Sequence, residues 1–161
     1  MTLESSGVPT GSGRVVAALA RAVEHALAET ELSLSQYRLL ALLEEEPAAA
    51  SVIADRLTVT RPSVTAVVDG LVARGYVTRA QDDEDRRRVT QVLTAAGRAE
   101  LARADQVAEK VLAAVLGDVA DAAEREAVAG GVSAWQEVIG RRRAEGLAAW
   151  QRSATAAQAS R

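Results

Sequence analysis

Apolar residues recur at helical spacing along nearly the whole chain, and this periodicity is interrupted at one place, residues 76–93. The sequence has 35 alanines among 161 residues, which favours helix. It has no phenylalanine, so its core must be largely aliphatic. These features predict a mostly α-helical protein with one small β element, of a length typical of a single domain.

The predicted helices are bounded by residue types that cap helices. Ser33 and Gln36 have capping-box spacing, Thr60 can cap the helix that follows it, and Gly75 stands where a C-terminal glycine belongs. Pro47 ends the helix that Ser33 begins. The predicted helices span residues 14–29, 33–46, 51–57, 61–74, 95–116 and 122–143.

The interruption has the pattern of a β-hairpin. Residues 76–79 and 89–93 are short β-prone runs, and the stretch between them, 81–88, is charged and has no apolar residue. Three consecutive arginines, Arg86, Arg87 and Arg88, end this stretch. We therefore expect two strands joined by an exposed charged loop.

A helix, a short helix, a further helix and a charged hairpin follow one another in the order of a winged helix-turn-helix. The helix at 61–74 has one apolar face and an opposite face of small side chains, which lets a helix lie deep in the major groove. Arg61, at its start, can contact a guanine edge or a phosphate. The arginines of the hairpin can follow the DNA backbone or enter a narrow minor groove. The net charge of −3 does not itself favour nucleic acid, so the placement of charges matters more than their sum.

Residues 32–97 resemble the multiple antibiotic resistance regulator (MarR) family of bacterial transcription factors. The matching segments are LSLSQYRLLALL (32–43), VIADRLTVTRPSVTAVVDGLVARGYV (52–77), DDEDRRRV (82–89) and LTAAGRAEL (93–101). The resemblance implies a mostly α fold with a small β-hairpin, a winged helix-turn-helix with N- and C-terminal dimerisation helices. It also implies a homodimer held by the first and last helices.

The resulting domain organisation has a single MarR-like domain with a tail at each end. Residues 1–13 are predicted to be a flexible N-terminal tail and 144–161 a C-terminal extension. The domain at 14–143 comprises a DNA-binding lobe, 32–94, and dimerisation helices at 14–30 and 95–143. Apolar stripes near both ends of the chain are expected to pack together and against a second copy; they are Val16, Leu19, Val23 and Leu27, and Val128, Val132, Trp135 and Ile139.

The candidate DNA contacts lie on the predicted helices and on the wing, which is the hairpin of a winged helix. They are Ser51, Thr60, Arg61, Ser63, Thr65, Arg86, Arg87 and Arg88. Asp82 and Asp85 match family positions at which an acidic residue supports a wing arginine. Glu84 departs from the family pattern, so the choice of the arginine that enters the minor groove stays open. Ala66 stands where many relatives have arginine, which leaves more of the base contact to Arg61, Ser63 and Thr65.

The composition excludes several chemistries. The chain has no cysteine and only one histidine, His25, which excludes a thiol switch, a cysteine zinc site and any multi-histidine metal site. It has no glycine-rich phosphate loop and no Ser/His/Asp arrangement, so we expect no enzyme, no cofactor and no metal. The resemblance implies either a small organic effector or none. The candidate effector contacts are His25, Tyr37 and Arg38, although Tyr37 lies on an apolar stripe and is more typical of the core.

The predicted function is that of a sequence-specific, DNA-binding transcriptional regulator. We expect a repressor that binds a pseudo-palindromic operator as a homodimer, and release by a small organic ligand stays one of two alternatives, the other being no ligand. The alternative is a winged-helix protein-interaction module that does not bind DNA, which would have no need for three wing arginines. No apolar run is long enough for a membrane span and the N-terminus lacks the pattern of a signal peptide, so we expect a cytoplasmic protein.

Overall fold

The computed structural model describes residues 8–81 and 89–159, with the backbone alone for Arg143 and for residues 147–159. No helix within these two stretches has the length together with the apolar character that a membrane crossing requires. The elements, in chain order, are α1 (Ser12–Ala26) followed by a 3₁₀ turn (Leu27–Glu29), α2 (Leu34–Glu45), β1 (Ala48–Ala49), α3 (Ala50–Leu57), α4 (Arg61–Ala73), β2 (Val77–Gln81), β3 (Val89–Leu93), α5 (Ala95–Gly117) and α6 (Ala122–Ala159).

The chain divides into two compact units, the first ending at Ala113 and the second beginning at Ala114. The first unit contains α1 to α4, the sheet and most of α5. The second contains the last residues of α5 and the whole of α6. The backbone of α6 stays helical to Ala159, beyond residue 143, where the apolar pattern fades.

The predicted hairpin is confirmed, and a third strand joins it. The sheet has the order β1-β3-β2 with antiparallel neighbours, and β2 pairs with β3 from Val77 opposite Leu93 to Gln81 opposite Val89. The third strand, β1, was not predicted; its two alanines pair with Gln91 and Thr90 of β3. The charged residues 82–88 connect β2 to β3 and lie outside the described residues.

The predicted capping residues close the helix ends in the first unit. The Ser33 hydroxyl accepts a hydrogen bond from the Gln36 backbone N–H at 3.3 Å, and the Gln36 side chain accepts from the Ser33 N–H at 3.0 Å. This is the reciprocal capping box that begins α2. Gly75, with a φ of 74°, reverses the chain after α4, in a conformation that a side chain would disfavour.

The core of the first unit is aliphatic, as the composition predicts. Its largest fully buried side chains are Leu27, Leu39, Leu40, Ile53, Val64, Leu71 and Val77. Val64, Val68 and Leu71 are four and three residues apart, so they form one buried stripe along α4. The burial of this stripe fixes which side of α4 faces the solvent.

The start of α5 packs backbone to backbone against the chain that leaves α4. The Thr94 hydroxyl accepts from the Gly97 N–H at 3.0 Å, and the Thr94 N–H donates to the Tyr76 carbonyl at 3.0 Å. A Cβ atom at Gly97 would overlap the Tyr76 carbonyl oxygen and lie 2.7 Å from a Leu93 methyl group. A glycine is therefore required at this contact.

We predict that Gly97→Ala lowers the free energy of unfolding by about 1–3 kcal/mol, because backbone atoms must move to admit the methyl group. Gly117→Ala is the matched control in the same helix, since no atom lies within 4 Å of the Cβ it would add. Urea unfolding of both variants checks this. Equal stabilities of the two variants would contradict the close contact.

Candidate nucleic-acid interface

The solvent face of α4 carries small side chains and one long cation. Because Val64, Val68 and Leu71 turn towards the core, the opposite side of the helix stays exposed. A helix whose exposed face carries small side chains can enter the major groove, which is about 12 Å wide. The exposed residues along it are Arg61, Pro62, Ser63, Thr65, Ala66 and Asp69.

Arg61 differs from the other arginines of the described lobe, residues 32–81 and 89–94. Its guanidinium makes no hydrogen bond and no ion pair with any described residue. Arg38, Arg56, Arg74 and Arg79 all contact carbonyl or carboxylate oxygens. The donors of Arg61 are therefore available to a ligand, at the first residue of α4.

The hydroxyl groups near Arg61 make hydrogen bonds within α4 and its N-cap, which determines what each can still donate or accept. The Thr60 hydroxyl accepts from the Ser63 N–H at 3.3 Å and shares a 2.8 Å hydrogen bond with the Ser63 hydroxyl. The Thr65 hydroxyl donates to the Arg61 carbonyl at 3.1 Å. Since its one hydrogen is used, the Thr65 oxygen can accept from the amino group of cytosine or adenine, and its methyl group can contact a thymine methyl.

The one acidic residue on this face is paired. Asp69 forms an ion pair with Arg79 of β2, which links the helix to the sheet. The pairing reduces the repulsion that an isolated carboxylate would exert on phosphates. This ion pair could not be predicted from the sequence, because a contact between a helix and a strand ten residues away leaves no periodic signal.

The remaining predicted DNA contacts lie elsewhere. Ser51 is half-buried in the first turn of α3, next to the buried residues Val52 and Ile53. The wing residues Asp82, Asp85, Arg86, Arg87 and Arg88 fall outside the described residues. The structure does fix the ends of the two strands that the wing residues connect, where Gln81 of β2 pairs with Val89 of β3.

The three candidate effector contacts do not share one site. Arg38 lines a cleft between α2, the end of α3 and α4, which contains about 370 Å³ of empty space open to the solvent. His25 is exposed on α1, and Tyr37 does not line this cleft. The other residues around the cleft are Ser35, Leu39, Leu57, Val59, Ser63, Val64 and Val67.

Tyr37 joins α2 to α5. It is half-buried, and its hydroxyl donates a 2.7 Å hydrogen bond to the Asp105 carboxylate. Burial raises the pKa of Tyr37 well above its ordinary value, and the hydrogen bond to Asp105 and the nearby acidic charges raise it further. The prediction of a core residue is therefore only half right, since the ring is partly exposed and the hydroxyl has a specific partner.

Metal binding has no visible basis in the described part of the chain. Within residues 8–81 and 89–159, no group of three or more histidine, aspartate or glutamate side chains is arranged to hold an ion.

Comparison with known proteins agrees with the fold. A sequence model of the MarR family matches residues 30–88. The HTH-type transcriptional repressor YetL of Bacillus subtilis is 33% identical over 82 residues, which cover 49% of this chain and 49% of YetL. The chain therefore matches about half the length of that curated relative.

Two solved structures extend the likeness beyond the matched segment. The transcriptional repressor CouR, bound to a 23-mer DNA duplex, has a TM-score of 0.63 at 26% identity and covers 84% of this chain and 98% of its own. The transcriptional regulator BldR of Sulfolobus solfataricus has a TM-score of 0.62 at 28% identity, covering 80% of this chain and 89% of its own. Both are regulators by description.

We predict that Tyr37→Phe lowers the free energy of unfolding at pH 7 by about 1–2 kcal/mol, because it removes a hydrogen bond to a charged group. The raised pKa of Tyr37 contributes stability that is complete below the unfolded value of about 10 and is lost as the pH rises above it. The deficit of the variant should therefore shrink at pH 11. Urea unfolding at both pH values checks this, and a deficit that stays constant would contradict the assigned role of the hydroxyl.

Proposed function

We propose that the chain is a member of the MarR family and a sequence-specific DNA-binding transcriptional regulator. In this proposal it acts as a repressor and binds a pseudo-palindromic operator as a homodimer. Residues 32–94 form the DNA-binding lobe, while residues 14–30 and 95–143 supply the dimerisation helices. The CouR structure, described as a repressor bound to a DNA duplex, supports this general mode of action.

The observation that carries the proposal is the guanidinium of Arg61, which no described residue pairs, on an otherwise small-residue helix face. Arginine can form two hydrogen bonds with the O6 and N7 atoms of guanine in the major groove. The small side chains of Ser63, Thr65 and Ala66 let the helix come close enough for this contact. A helix face that only contacts solvent would not require an arginine without a described partner next to a row of small side chains.

The wing supplies contacts of a second kind. Arg86, Arg87 and Arg88 are consecutive in the sequence, between strands whose ends the structure fixes. In this position their charges would neutralise phosphates or enter a narrow minor groove, which adds affinity with little dependence on base identity. The pairing of Asp69 by Arg79 keeps the neighbouring helix face from opposing that attraction.

Dimerisation is supported by apolar side chains that a single chain leaves in the solvent. Val128, Val132, Trp135 and Ile139 recur at spacings of three and four along α6, and each is between 47% and 57% exposed. Contiguous apolar surface of this kind is typical of a protein interface. We propose that a second copy covers it, in a two-fold symmetric contact.

A small organic ligand is the proposed releasing signal. The cleft beside Arg38 adjoins α4 through Ser63, Val64 and Val67, so a ligand there would contact the helix that carries Arg61. Its lining is mainly aliphatic and includes one cation, Arg38, which suits a small organic anion.

Selection of bound duplexes from a random pool tests the proposed function. It should yield a pseudo-palindrome whose half-sites lie about 10 bp apart, one helical turn, because two-fold related copies of α4 contact successive major grooves on one face. Recovery of no shared sequence would contradict the proposal and favour the protein-interaction alternative.

We predict that Arg61→Ala weakens binding to the selected duplex by about 1–3 kcal/mol and has a smaller effect on a scrambled duplex. Arg87→Ala should instead weaken both duplexes similarly and reduce the slope of log affinity against log salt by about one. Arg98→Ala is the matched control, because its exposed ion pair with Glu44 joins α5 to α2 and does not involve a residue of α4. Titrations at several salt concentrations measure all three, and unchanged affinities for both Arg61→Ala and Arg87→Ala would refute the assignment.

We predict a stable dimer at micromolar concentration, burying more than about 1,600 Å² as obligate interfaces do. Trp135→Glu should convert it to monomer, because it places a charge within the apolar stripe. Sedimentation velocity distinguishes the two states. A wild-type protein that sediments as a monomer would contradict the proposed interface.

A further inference from the structure

Glu31 uses three of its polar groups to contact α5 and the short segment between α4 and β2. It lies between the 3₁₀ turn that follows α1 and the start of α2. Its backbone N–H, its backbone carbonyl and its carboxylate each have a partner far along the chain. A glutamate in a surface turn is ordinarily solvated, so the three hydrogen bonds of Glu31 to distant residues require an explanation.

The backbone N–H ties the turn to α5. It donates to the Glu100 carboxylate at 3.1 Å, and Glu100 is buried although it is charged. Arg103, on the same helix, lies 3.7 Å from the second Glu100 oxygen and donates to the Glu29 carbonyl at 2.9 Å. The turn is therefore attached to α5 at two points, on either side of Thr30.

The other two groups tie the turn to the segment between α4 and β2. The Arg74 guanidinium donates to the Glu31 carbonyl, and the Tyr76 hydroxyl donates to the Glu31 carboxylate at 2.7 Å. Arg74 also lies over the Tyr76 ring, 5.5 Å from its centre, and donates to the Gly70 carbonyl at 3.2 Å. The hydrogen bond to Glu31 raises the pKa of Tyr76 above its ordinary value.

We propose that Glu31, Arg74, Tyr76, Glu100 and Arg103 form a clamp that sets the angle of α4 relative to α1 and α5, and thereby the half-site spacing that the dimer accepts. This inference rests on the proposed function, because it assumes that α4 binds DNA and that α1 and α5 join two copies. The five residues are positioning residues, since none of them lies on the exposed face of α4 that carries Arg61.

The clamp contacts α4 at the end opposite to Arg61, so a small tilt of the helix at the clamp displaces Arg61 by a larger distance. It holds α4 at its C-terminal end, whereas Arg61 is the first residue of the helix. A helix of 13 residues is about 20 Å long. A tilt of about 10° at the clamped end therefore moves the other end by about 3.5 Å, close to the roughly 3.4 Å rise of one base pair. Small changes in the clamp would thus change which spacing fits.

The experiment compares the selected duplex with duplexes whose spacer is one base pair longer or shorter. Wild type should bind the altered duplexes about tenfold more weakly, the usual order of penalty for a disfavoured change in a specific site. Tyr76→Phe and Glu31→Ala break the same hydrogen bond from its two sides. Each should bind all three duplexes within about threefold of one another, and the double variant should show no further loss.

Two control variants separate positioning from general stability. Glu31→Gln keeps an oxygen that accepts from Tyr76, so it should retain the spacing discrimination of wild type. Tyr37→Phe removes another tyrosine–carboxylate hydrogen bond of 2.7 Å, between α2 and α5 and away from α4. It should lower stability but keep the discrimination. Thermal unfolding of each variant reports whether it is folded at the temperature of the titrations.

The outcomes distinguish failure of the clamp from failure of the proposed DNA-binding function. If wild type discriminates between spacings while Tyr76→Phe and Glu31→Ala do so equally well, the clamp is refuted and the proposed function stands. Equal loss of discrimination in Tyr37→Phe would also refute it, since any weakening of the lobe would then suffice. If wild type prefers no sequence at all, the proposed function fails and the clamp fails with it.

Discussion

The arrangement of the first unit depends on the junction at Gly75 and Tyr76, where the chain leaves α4 and enters the sheet. Gly75 adopts a φ of 74°, and the Tyr76 N–H still donates to the Leu71 carbonyl at 2.9 Å. The Thr94 hydroxyl donates to the Gly75 carbonyl at 2.7 Å, and the missing side chain of Gly97 lets α5 approach the Tyr76 carbonyl. The helix α4, the sheet and α5 thus meet at one turn, and the close approach of Gly97 to Tyr76 is between backbone atoms, which cannot change rotamer.

The exposed face of α4 follows from this junction. The buried stripe of Val64, Val68 and Leu71 sets the rotation of the helix about its axis, and the junction sets where the helix ends. Together they leave Arg61 at the far end with its donors unpaired by any described residue. The interactions of Glu31 act on the same turn, from the side of α1 and α5, so the proposed clamp adds a control on the angle of the helix.

Local sequence signals sufficed for much of this fold. The capping box at Ser33, the cap at Thr60 and the glycine at Gly75 depend on residues within three or four positions, and each is confirmed. The strand β1 could not be predicted, because Ala48 and Ala49 have low strand propensity and pair only because β3 is beside them. The partners of Tyr37, Asp69 and Glu31 could not be predicted either, since single-sequence patterns do not report contacts between distant segments. The candidate DNA contacts on the wing remain predictions.

The central claim is that α4 of each copy contacts bases in the major groove. Dimethyl sulfate interference on the selected duplex tests it directly, because the reagent methylates guanine N7 in the major groove and adenine N3 in the minor groove. The account predicts that a methyl group on one guanine in each half-site, about 10 bp apart, blocks binding of the wild-type protein. It also predicts that Arg61→Ala is no longer sensitive at those guanines. Binding that tolerates methylation at every guanine N7 would contradict the account.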